Sequence, residues 1–395
     1  MSSDPRRLAG AALAEALRDS RAVTLSRVLD ASDDAWRVPE QPGVNPVAWE
    51  LGHLAWFAEF WTLRGPHVVG DDGLVTAARP AVIAGPDALF DSSRLAHADR
   101  WRTPMPSREA LLARLDAQLA ACIAAIADDD ADDAAHDAHR LALFHEDMHG
   151  EAFAWLRSAL GWPAPAGVSP PAPMAASAPL TVAGGDVDIG RPQGAGGFWF
   201  DNEQPGRRLA LAPFEIDAAA LSAGAFLAFV EAGGYDEPSW WPGGAGAWRS
   251  RQDRSHPAHW RRAGALWEQR WFDRWLPLDT DAPLVHVNAW EAEAYCRWAG
   301  RRLPHAAEWE HAAADPSFAW GRTVWEWTAD DFQAYPGFEP GPYRDYSQPW
   351  FGDHRELRGG SFATHPRLHH RRYRNFFTPD RGDVFAGFRT AALAP

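Results

Sequence analysis

The chain has 395 residues, of which 46% are hydrophobic and 23% are charged, and its formal net charge is −15. This composition is typical of a folded protein with more than one core, and the acidic excess disfavours a nucleic-acid partner. Only two cysteines are present, far apart, and no uncharged run approaches the ~20 residues of a membrane span, so we expect a cytoplasmic protein with no membrane partner.

Residues 1–161 are predicted to form a helical domain. Apolar residues recur at intervals of three and four in four segments: 8–17, 47–63, 108–126 and roughly 134–160. Pro106 and Ser107 provide a start for the third helix. Four long helices with connectors favour a four-helix bundle, and the cores of such bundles often hold metal ions between side chains of facing helices.

Three histidines in this domain have the spacing of metal ligands. His145 and His149 are four residues apart, so on a helix they lie on one face, ~6 Å apart along the axis. His53 lies in another predicted helix and can supply a third imidazole. Three imidazoles on one side of an ion leave its other side open for substrates, which is typical of a catalytic metal site and therefore of an enzyme.

Residues 162–180 are rich in proline and alanine, and we interpret them as an extended linker. Beyond them, short strands such as 182–189 and 208–214 alternate with glycine, proline and asparagine turns. Two helices are predicted here, 222–232 and 288–299, with Asn288 as an N-cap. Residues 181–395 are therefore predicted to form a loop-rich α+β domain.

The second domain resembles the formylglycine-generating-enzyme-like domain, a variant of the C-type lectin fold. The resemblance rests on GGDVDIG at 184–190, VWEWT at 324–328 and LRGGSF at 357–362. Four further stretches extend it: 283–290, 292–300, 302–310 and 387–389. The enzyme that names the domain uses two cysteines near its C-terminus, and neither Cys122 nor Cys296 lies there, so that activity is not expected.

The first domain is similar to the DinB-type four-helix bundle. The order of bundle, proline-rich linker and lectin-like domain resembles the non-haem iron enzymes that join a chalcogen to hercynine, the trimethylated histidine betaine. These are the ergothioneine sulfoxide synthases and their selenium counterpart, selenoneine synthase. The resemblance implies Fe(II) as cofactor, O2 as co-substrate, and His53, His145 and His149 as the iron ligands. It also implies a tyrosine proton donor, for which Tyr343 is the first candidate and Tyr346 the second.

The sequence departs from this family at the expected donor site. Enzymes that use γ-glutamylcysteine typically carry Arg-Asn-Trp-Asp near the C-terminus, where this chain has Arg374-Asn-Phe-Phe377 and no carboxylate. Arg100 falls near a donor-binding arginine of the family, and Asn375, Phe376 and Phe377 are expected to border the substrates. The departure favours a selenosugar donor and selenoneine biosynthesis, and the alternative is a thiol donor, cysteine or γ-glutamylcysteine.

Two other functional classes remain open from the sequence. Three histidines and a water also describe a hydrolytic zinc site, which predicts a zinc-dependent hydrolase or thiol transferase of the DinB class. Glu146 and Asp147 are the available bases for that chemistry, although the helical spacing turns them to other faces. A non-catalytic binding module is the third possibility, because lectin-like folds often only bind ligands.

Overall fold

The computed structural model describes three stretches of the chain: residues 4–128, 131–175 and 177–393. Residues 1–3, 129–130, 176 and 394–395 lie outside these stretches. Residues 1–3 and 129–130 belong to the first predicted domain, 176 to the predicted linker and 394–395 to the second predicted domain. The chain divides into two compact units. The helical unit comprises residues 1–156, 194–199 and 341–346. The mixed unit comprises residues 157–193, 200–340 and 347–395.

Helices dominate the first unit and are shorter in the second. The helices of the described stretches are α1 Gly10–Ser26, α2 Val47–Leu63, α3 Asp87–Phe90, α4 Arg108–Ala124, α5 Asp137–Leu160, α6 Ala223–Glu231, α7 Gly244–Gln252, α8 Ala289–Trp298 and α9 Ala306–Ala312. The four long helices predicted for the first region are α1, α2, α4 and α5. No helix in the described stretches has the length and apolar character needed to cross a membrane.

The strands are short, and all but two belong to the mixed unit. They are β1 His67–Val69, β2 Val75–Ala77, β3 Leu180–Val182, β4 Gly185–Ile189, β5 Arg207–Leu211, β6 Phe214–Ile216, β7 Trp260–Ala263, β8 Leu266–Trp271, β9 Arg274–Pro277, β10 Arg301–Arg302, β11 Trp325–Asp331, β12 Arg355–Arg358, β13 Asn375–Phe377, β14 Ala386–Gly387 and β15 Ala391–Ala392.

Helix α2 is buried around its whole circumference. Most of its 17 residues are buried, including both its large aromatic side chains and its charged ones. It packs mainly against α4, and Ala58 meets Cys122 and Ala142 in a small apolar cluster that joins α2, α4 and α5. A helix that is held on all sides has little freedom to shift, so the side chains on α2 are placed accurately.

A buried ion pair ties α1 to α5 and α4. The Nε of Arg21 donates to Glu146 Oε1 at 2.6 Å, and its terminal nitrogens donate to the Leu115 carbonyl and to Gln118 Oε1. Leu13 and Leu17 of α1 pack with Leu143 of α5 in an adjoining cluster. Arg21 thus makes polar bonds to two helices from a buried position.

The connection between α2 and α4 is fastened to α2 by charged groups. Glu59 accepts the backbone N–H of Val82 at 2.7 Å and that of Ala84 at 2.6 Å. Gly52 lets α3 approach closely, because a Cβ on Gly52 would lie 2.1 Å from the Phe90 ring. This approach brings the Phe90 backbone against the middle of α2.

The mixed unit contains two four-stranded sheets and two smaller ones. The four-stranded sheets have the orders β10-β15-β6-β3 and β13-β12-β11-β14, and β4-β5 and β7-β8-β9 form separate sheets. The strand pairs are antiparallel except β11 with β14. Phe214 and Ile216 of β6 pack with Trp309 of α9 in one apolar core cluster.

Two predicted strands of the second region are each broken in two. Residues 182–189 divide into the end of β3 and β4, and residues 208–214 divide into β5 and the start of β6. β3 pairs with β6, whereas β4 pairs with β5 in a different sheet. Gly184 lies between β3 and β4, where a Cβ would come 2.2 Å from the Leu211 carbonyl oxygen, so only glycine fits at this position. The prediction of continuous strands was therefore wrong.

The prediction of only two helices in the second region was also wrong. The two predicted helices are α6 and α8, and Asn288 accepts the Glu291 N–H at 2.9 Å as the expected N-cap. The sequence missed α7, where Gly244 and Gly246 weaken helix propensity and burial of Trp248 compensates. It also missed α9, which is too short for a clear period.

The boundary between the two units differs slightly from the predicted domain limit. The first segment of the helical unit ends at residue 156, five residues before the predicted limit of 161 and within α5. Arg157 bonds instead to the chain that follows, through Nε to the Pro163 carbonyl at 2.8 Å. Residues 341–346 belong to the helical unit although they lie far along the sequence.

Candidate metal centre

His53, His145 and His149 lie together in the helical unit. Each offers one ring nitrogen, and these nitrogens all lie within 4.8 Å of one another. The ring centroids are 5.1 Å apart for His53 and His145, 5.3 Å for His53 and His149, and 4.5 Å for His145 and His149. His53 comes from α2, and the other two come from one face of α5. The structure therefore brings together all three histidines selected from the sequence.

Hydrogen bonds fix the orientation of two of the rings. The Nδ1 of His53 lies 2.8 Å from the Phe90 carbonyl oxygen, which can only accept, so Nδ1 carries the proton and Nε2 keeps its lone pair. The Nδ1 of His149 lies 2.7 Å from Glu50 Oε1, and the same reasoning leaves its Nε2 available. An outer partner on the second ring nitrogen is the usual feature of a metal-binding histidine.

Burial keeps two of the imidazoles neutral. His53 is 3% exposed and His145 is 4% exposed. Burial, reinforced by the charge of His149, lowers the pKa of His53 to about 3. Burial also holds the pKa of His145 well below its ordinary value, with His149 and His53 adding to the effect. Neutral imidazoles are the form that binds a metal ion, so the donor set fits a cation that prefers nitrogen ligands.

Aromatic rings form the walls around the three histidines. Phe57 stacks flat on His145 at 3.6 Å with an interplanar angle of 4°. Trp49 stacks on the His53 ring at 4.9 Å and 10°, and Trp56 lies on it at 5.8 Å. These rings restrict rotation of the imidazoles and exclude water from their faces, so the cluster is rigid and apolar at its edges.

Tyr343 packs beside His145, and its role as a proton donor stays a prediction. Its ring meets Phe57 edge-on at 4.9 Å and His145 at 6.2 Å. Tyr346 lies 6.1 Å from Tyr343, and its hydroxyl donates to the Met148 sulfur at 3.9 Å. The Tyr343 ring therefore contacts both a histidine of the cluster and the phenylalanine that stacks on that histidine.

Arg100 is linked to the cluster through Trp49. Its guanidinium lies 3.9 Å from the centre of the Trp49 ring, and Nη1 donates to Asn45 Oδ1 at 2.7 Å. The Nε of Arg100 is buried and has no hydrogen-bond partner among the described residues. Burial lowers the pKa of Arg100, and the nearby charges of Glu50 and Tyr343 oppose that shift. An arginine with an unused buried N–H is suited to receive an acceptor from a ligand.

Asn375, Phe376 and Phe377 form β13 in the mixed unit and are partly exposed. Phe376 stacks on Phe332 at 4.1 Å and 14°, which accounts for its side chain by packing within the sheet. The Arg381 guanidinium lies 5.1 Å from the Phe377 ring, so one cation already occupies a face of this aromatic. Their contact with a substrate stays a prediction.

The two carboxylates next to His145 are engaged elsewhere. Glu146 is 3% exposed and is held by Arg21 through two bonds of 2.6 and 3.2 Å. Asp147 accepts the Ser20 hydroxyl at 2.7 Å. Both contacts are made with α1, which agrees with the expectation that these side chains leave the ligand face. Neither is therefore in place as the base of a hydrolytic site.

Sequence reasoning missed Glu50, Trp49, Phe57 and the Phe90 carbonyl. Glu50 precedes His53 by three residues, so helical spacing places it on the same side of α2, and that signal was available. A carboxylate in a helix as apolar as α2 was a second signal. The Phe90 carbonyl could not be identified from the sequence, because its contact with His53 depends on a connection that folds back onto α2.

Comparison with known proteins identifies both regions. The DinB superfamily model matches residues 16–153, and the Sulfatase-modifying factor enzyme 1-like domain model matches residues 165–324 and 321–394. Hercynine oxygenase from Mycolicibacterium smegmatis is 30% identical over 440 residues, which cover 96% of this chain and 98% of that protein. Hercynine oxygenase from Mycobacterium tuberculosis is 31% identical over 427 residues, covering 95% and 97%.

The second region by itself is also similar to another enzyme. Formylglycine-generating enzyme from Streptomyces coelicolor is 28% identical over 309 residues, which cover 59% of this chain and 96% of that protein. The predicted fold, a DinB-type helical region followed by a C-type-lectin-like domain, is confirmed. Because hercynine oxygenases match the chain over nearly its full length, the protein belongs to the hercynine oxygenase family of oxidoreductases.

Proposed function

We propose that the protein is an O2-dependent, non-haem Fe(II) enzyme that joins hercynine to a selenosugar through a C–Se bond and oxygenates the selenium. One observation carries the proposal: three imidazoles whose ring nitrogens lie within 4.8 Å of one another meet in a chain matched nearly end to end by hercynine oxygenases. The proposed product belongs to selenoneine biosynthesis.

The overall reaction balances with one O2. Hercynine loses the hydrogen on its imidazole carbon, the selenol loses its hydrogen, and a C–Se bond forms with release of two electrons. Oxygenation of selenium to the selenoxide releases two more electrons. These four electrons reduce O2, so that one oxygen atom enters the selenoxide and the other leaves as water with the two hydrogens.

The side chains of the helical unit have separable tasks in this reaction. His53, His145 and His149 would hold the Fe(II), which supplies O2 activation and a site for a soft chalcogen ligand. The rings of Phe57 and Trp49 limit access of water to that site. The Tyr343 hydroxyl is our proposed proton donor, because its ring lies 6.2 Å from that of His145.

The choice of selenium rests on the segment that would contact the donor. A γ-glutamylcysteine donor carries an ammonium group, and the corresponding family segment ends in an aspartate. This chain has Phe377 at that position, with the Arg381 guanidinium against its ring. An aromatic beside a cation suits a sugar better than an ammonium group. Arg100, with a free buried N–H, is the proposed contact for donor hydroxyl or anionic groups.

A sulfur donor is the second candidate. It is favoured by relatives such as Ergothioneine biosynthesis protein 1 of Schizosaccharomyces pombe, which is 26% identical over 214 residues. The residues that would hold the Fe(II) are the same for a sulfur donor, and only the donor contacts differ.

The test is a competition between donors with the iron-loaded protein. Anaerobic protein is loaded with Fe(II), then mixed with hercynine, O2 and either selenosugar, cysteine or γ-glutamylcysteine. We expect a hercynine selenoxide by mass spectrometry, with one O2 consumed per product.

The control is a His149→Ala variant under the same conditions, which should form no product with any donor. Turnover with γ-glutamylcysteine alone would overturn the selenosugar assignment and retain the hercynine-dependent class. Absence of O2 uptake with every donor, in protein shown to contain iron, would overturn the class.

A further inference from the structure

Glu50 is a buried carboxylate that has no part in the proposed reaction. It lies on α2, is 2% exposed, and is surrounded along that helix by apolar residues. Taking a carboxylate out of water is costly unless hydrogen bonds and opposite charge compensate it. A helix this apolar would be more stable with an apolar residue here, so the carboxylate needs an explanation.

The carboxylate of Glu50 bonds to the histidine cluster. Its Oε1 accepts the Nδ1 hydrogen of His149 at 2.7 Å. Arg100 supplies a positive charge nearby, and that arginine lies over Trp49, which stacks on His53. Glu50 therefore contacts one histidine directly and neighbours a group that reaches a second through an aromatic ring.

The three imidazoles are supported differently. His53 donates to a neutral backbone carbonyl, and His145 is oriented by its stack on Phe57. Only His149 donates to a carboxylate. A negatively charged acceptor draws the Nδ1 hydrogen towards itself and raises the electron density at Nε2, so His149 is the strongest donor of the three.

We propose that Glu50 is a positioning residue for the metal centre. It holds His149 in the tautomer that leaves Nε2 available, and its charge strengthens that nitrogen as a ligand for a divalent cation. The bound cation in turn compensates the buried charge of Glu50. This inference rests on metal binding by the three histidines, which belongs to the proposed function, but not on the identity of either substrate.

Replacement of Glu50 by glutamine separates geometry from charge. A glutamine of the same shape can still accept the His149 hydrogen through its amide oxygen, but it carries no charge. If only the shape mattered, Glu50→Gln would bind metal as the natural protein does. If the charge matters, affinity falls by about 10- to 100-fold, the usual effect of losing an outer-shell partner.

Glu59 provides a matched control. It lies on the same helix, is also 2% exposed, and accepts backbone N–H groups of the connection that follows α2. Glu59→Gln removes a buried carboxylate charge without touching the cluster. It should lower thermal stability and leave metal affinity unchanged.

The experiment is an anaerobic titration of metal-free protein with Co(II), followed by visible absorption, and with Fe(II), followed by competition against a chelator. We expect the natural protein and Glu59→Gln to bind one ion equally well, and Glu50→Gln to bind about 10- to 100-fold more weakly. The Fe(III)/Fe(II) potential of Glu50→Gln should also move in the positive direction, since a weaker donor stabilises Fe(III) less. A merely structural role would not change the potential.

Equal affinity and an unchanged potential in Glu50→Gln would overturn the inference and leave the proposed function intact. Failure of the natural protein to bind either ion would overturn both. Should Glu50→Gln fail to fold, Glu50→Asp decides the question by the same titration, because it keeps the charge but withdraws it by one methylene. Weaker binding in that variant supports the inference, and unchanged binding overturns it.

Discussion

The two units of the protein bury ionisable side chains in different ways. In the helical unit, His53, His145 and His149 each offer one ring nitrogen, and these nitrogens lie within 4.8 Å of one another. In the mixed unit, the buried charges pair with one another: Arg358 lies 3.0 Å from Glu310 and 2.7 Å from Glu356. The first arrangement is prepared for an external ligand, whereas the second satisfies itself and holds the fold together.

The mixed unit also contains a pair of buried histidines that makes the contrast sharper. His259 and His286 stack at 3.8 Å and 23°, both almost fully buried. Their neighbour is Arg270, which donates to His259 Nε2 at 3.1 Å. Buried histidines are therefore not by themselves a metal site. In the mixed unit the side chain that bonds to the pair is an arginine, whereas in the helical unit the side chain that bonds to His149 is the Glu50 carboxylate.

The largest expected effect comes from removal of a histidine of the cluster. His145→Ala should reduce Fe(II) affinity by more than about 100-fold, because loss of an outer partner alone typically costs 10- to 100-fold. Iron content after loading, together with product formation, measures this. His139→Ala is the control, since His139 is buried in the same helix but bonds to the Cys122 carbonyl. Comparable iron loss in both variants would contradict a special role for the cluster.

The next largest effect is expected at the proposed proton donor. Tyr343→Phe keeps the ring packing on Phe57 and removes only the hydroxyl. Product formation should fall by about 10²- to 10⁴-fold with unchanged iron affinity, which is the usual contribution of a positioned acid. The neighbouring Tyr346→Phe serves as control and should have a smaller effect. Equal rates in Tyr343→Phe and natural protein would remove Tyr343 from the mechanism.

The buried ion pairs of the mixed unit should affect stability rather than activity. Arg389 donates to Glu326 Oε1 at 2.7 Å, and both side chains are almost completely buried. Arg389→Met leaves an uncompensated carboxylate and should lower the free energy of unfolding by about 3–5 kcal/mol. Adding Glu326→Gln should restore part of the lost free energy of unfolding. It removes the uncompensated charge, and the Trp309 indole still has an oxygen as its acceptor.

Chemical unfolding of each variant measures the effect. Arg18→Met, which breaks an exposed pair with Glu15 at 3.4 Å, is the control and should change stability by no more than about 1 kcal/mol. A similar cost for both arginines would contradict the distinction between buried and exposed pairs.

The smallest effect concerns acid stability of the stacked histidine pair. Burial, with the Arg270 charge, lowers the pKa of His286 from 6.5 to about 4. As pH falls below 6.5 the unfolded chain takes up a proton that the folded state refuses until about pH 4. Stability should therefore decrease over this window, by about 3 kcal/mol from this residue.

His286→Asn tests this, since asparagine tolerates the positive φ of 65° at this position. Between pH 6.5 and 4, the unfolding free energy of His286→Asn should depend less on pH than that of the natural protein. His256→Asn is the control and should keep the full pH dependence. An identical pH slope in His286→Asn and the natural protein would contradict the assignment.

Local patterns predicted much of the helical unit. The i,i+4 spacing of His145 and His149 follows from helix geometry alone, and Ser107 caps α4 by accepting the Ala110 N–H at 3.2 Å. The strands were less predictable, because pairing of β3 with β6 and of β4 with β5 depends on residues far apart in the chain. Neither the close approach of Gly184 to Leu211 nor the burial of Trp248 leaves a local signal in the sequence.

The identity of the three histidines, the helical elements that carry them and the order of the two domains were determined by the sequence alone. The tertiary structure decided which nitrogen of His53 and His149 is available, since the Phe90 carbonyl and the Glu50 carboxylate come from other elements. It also placed Tyr343 in the helical unit, more than 190 residues from His145 in the chain. Helical periodicity is a short-range property, whereas hydrogen-bond partners and ring contacts arise only when distant segments pack together.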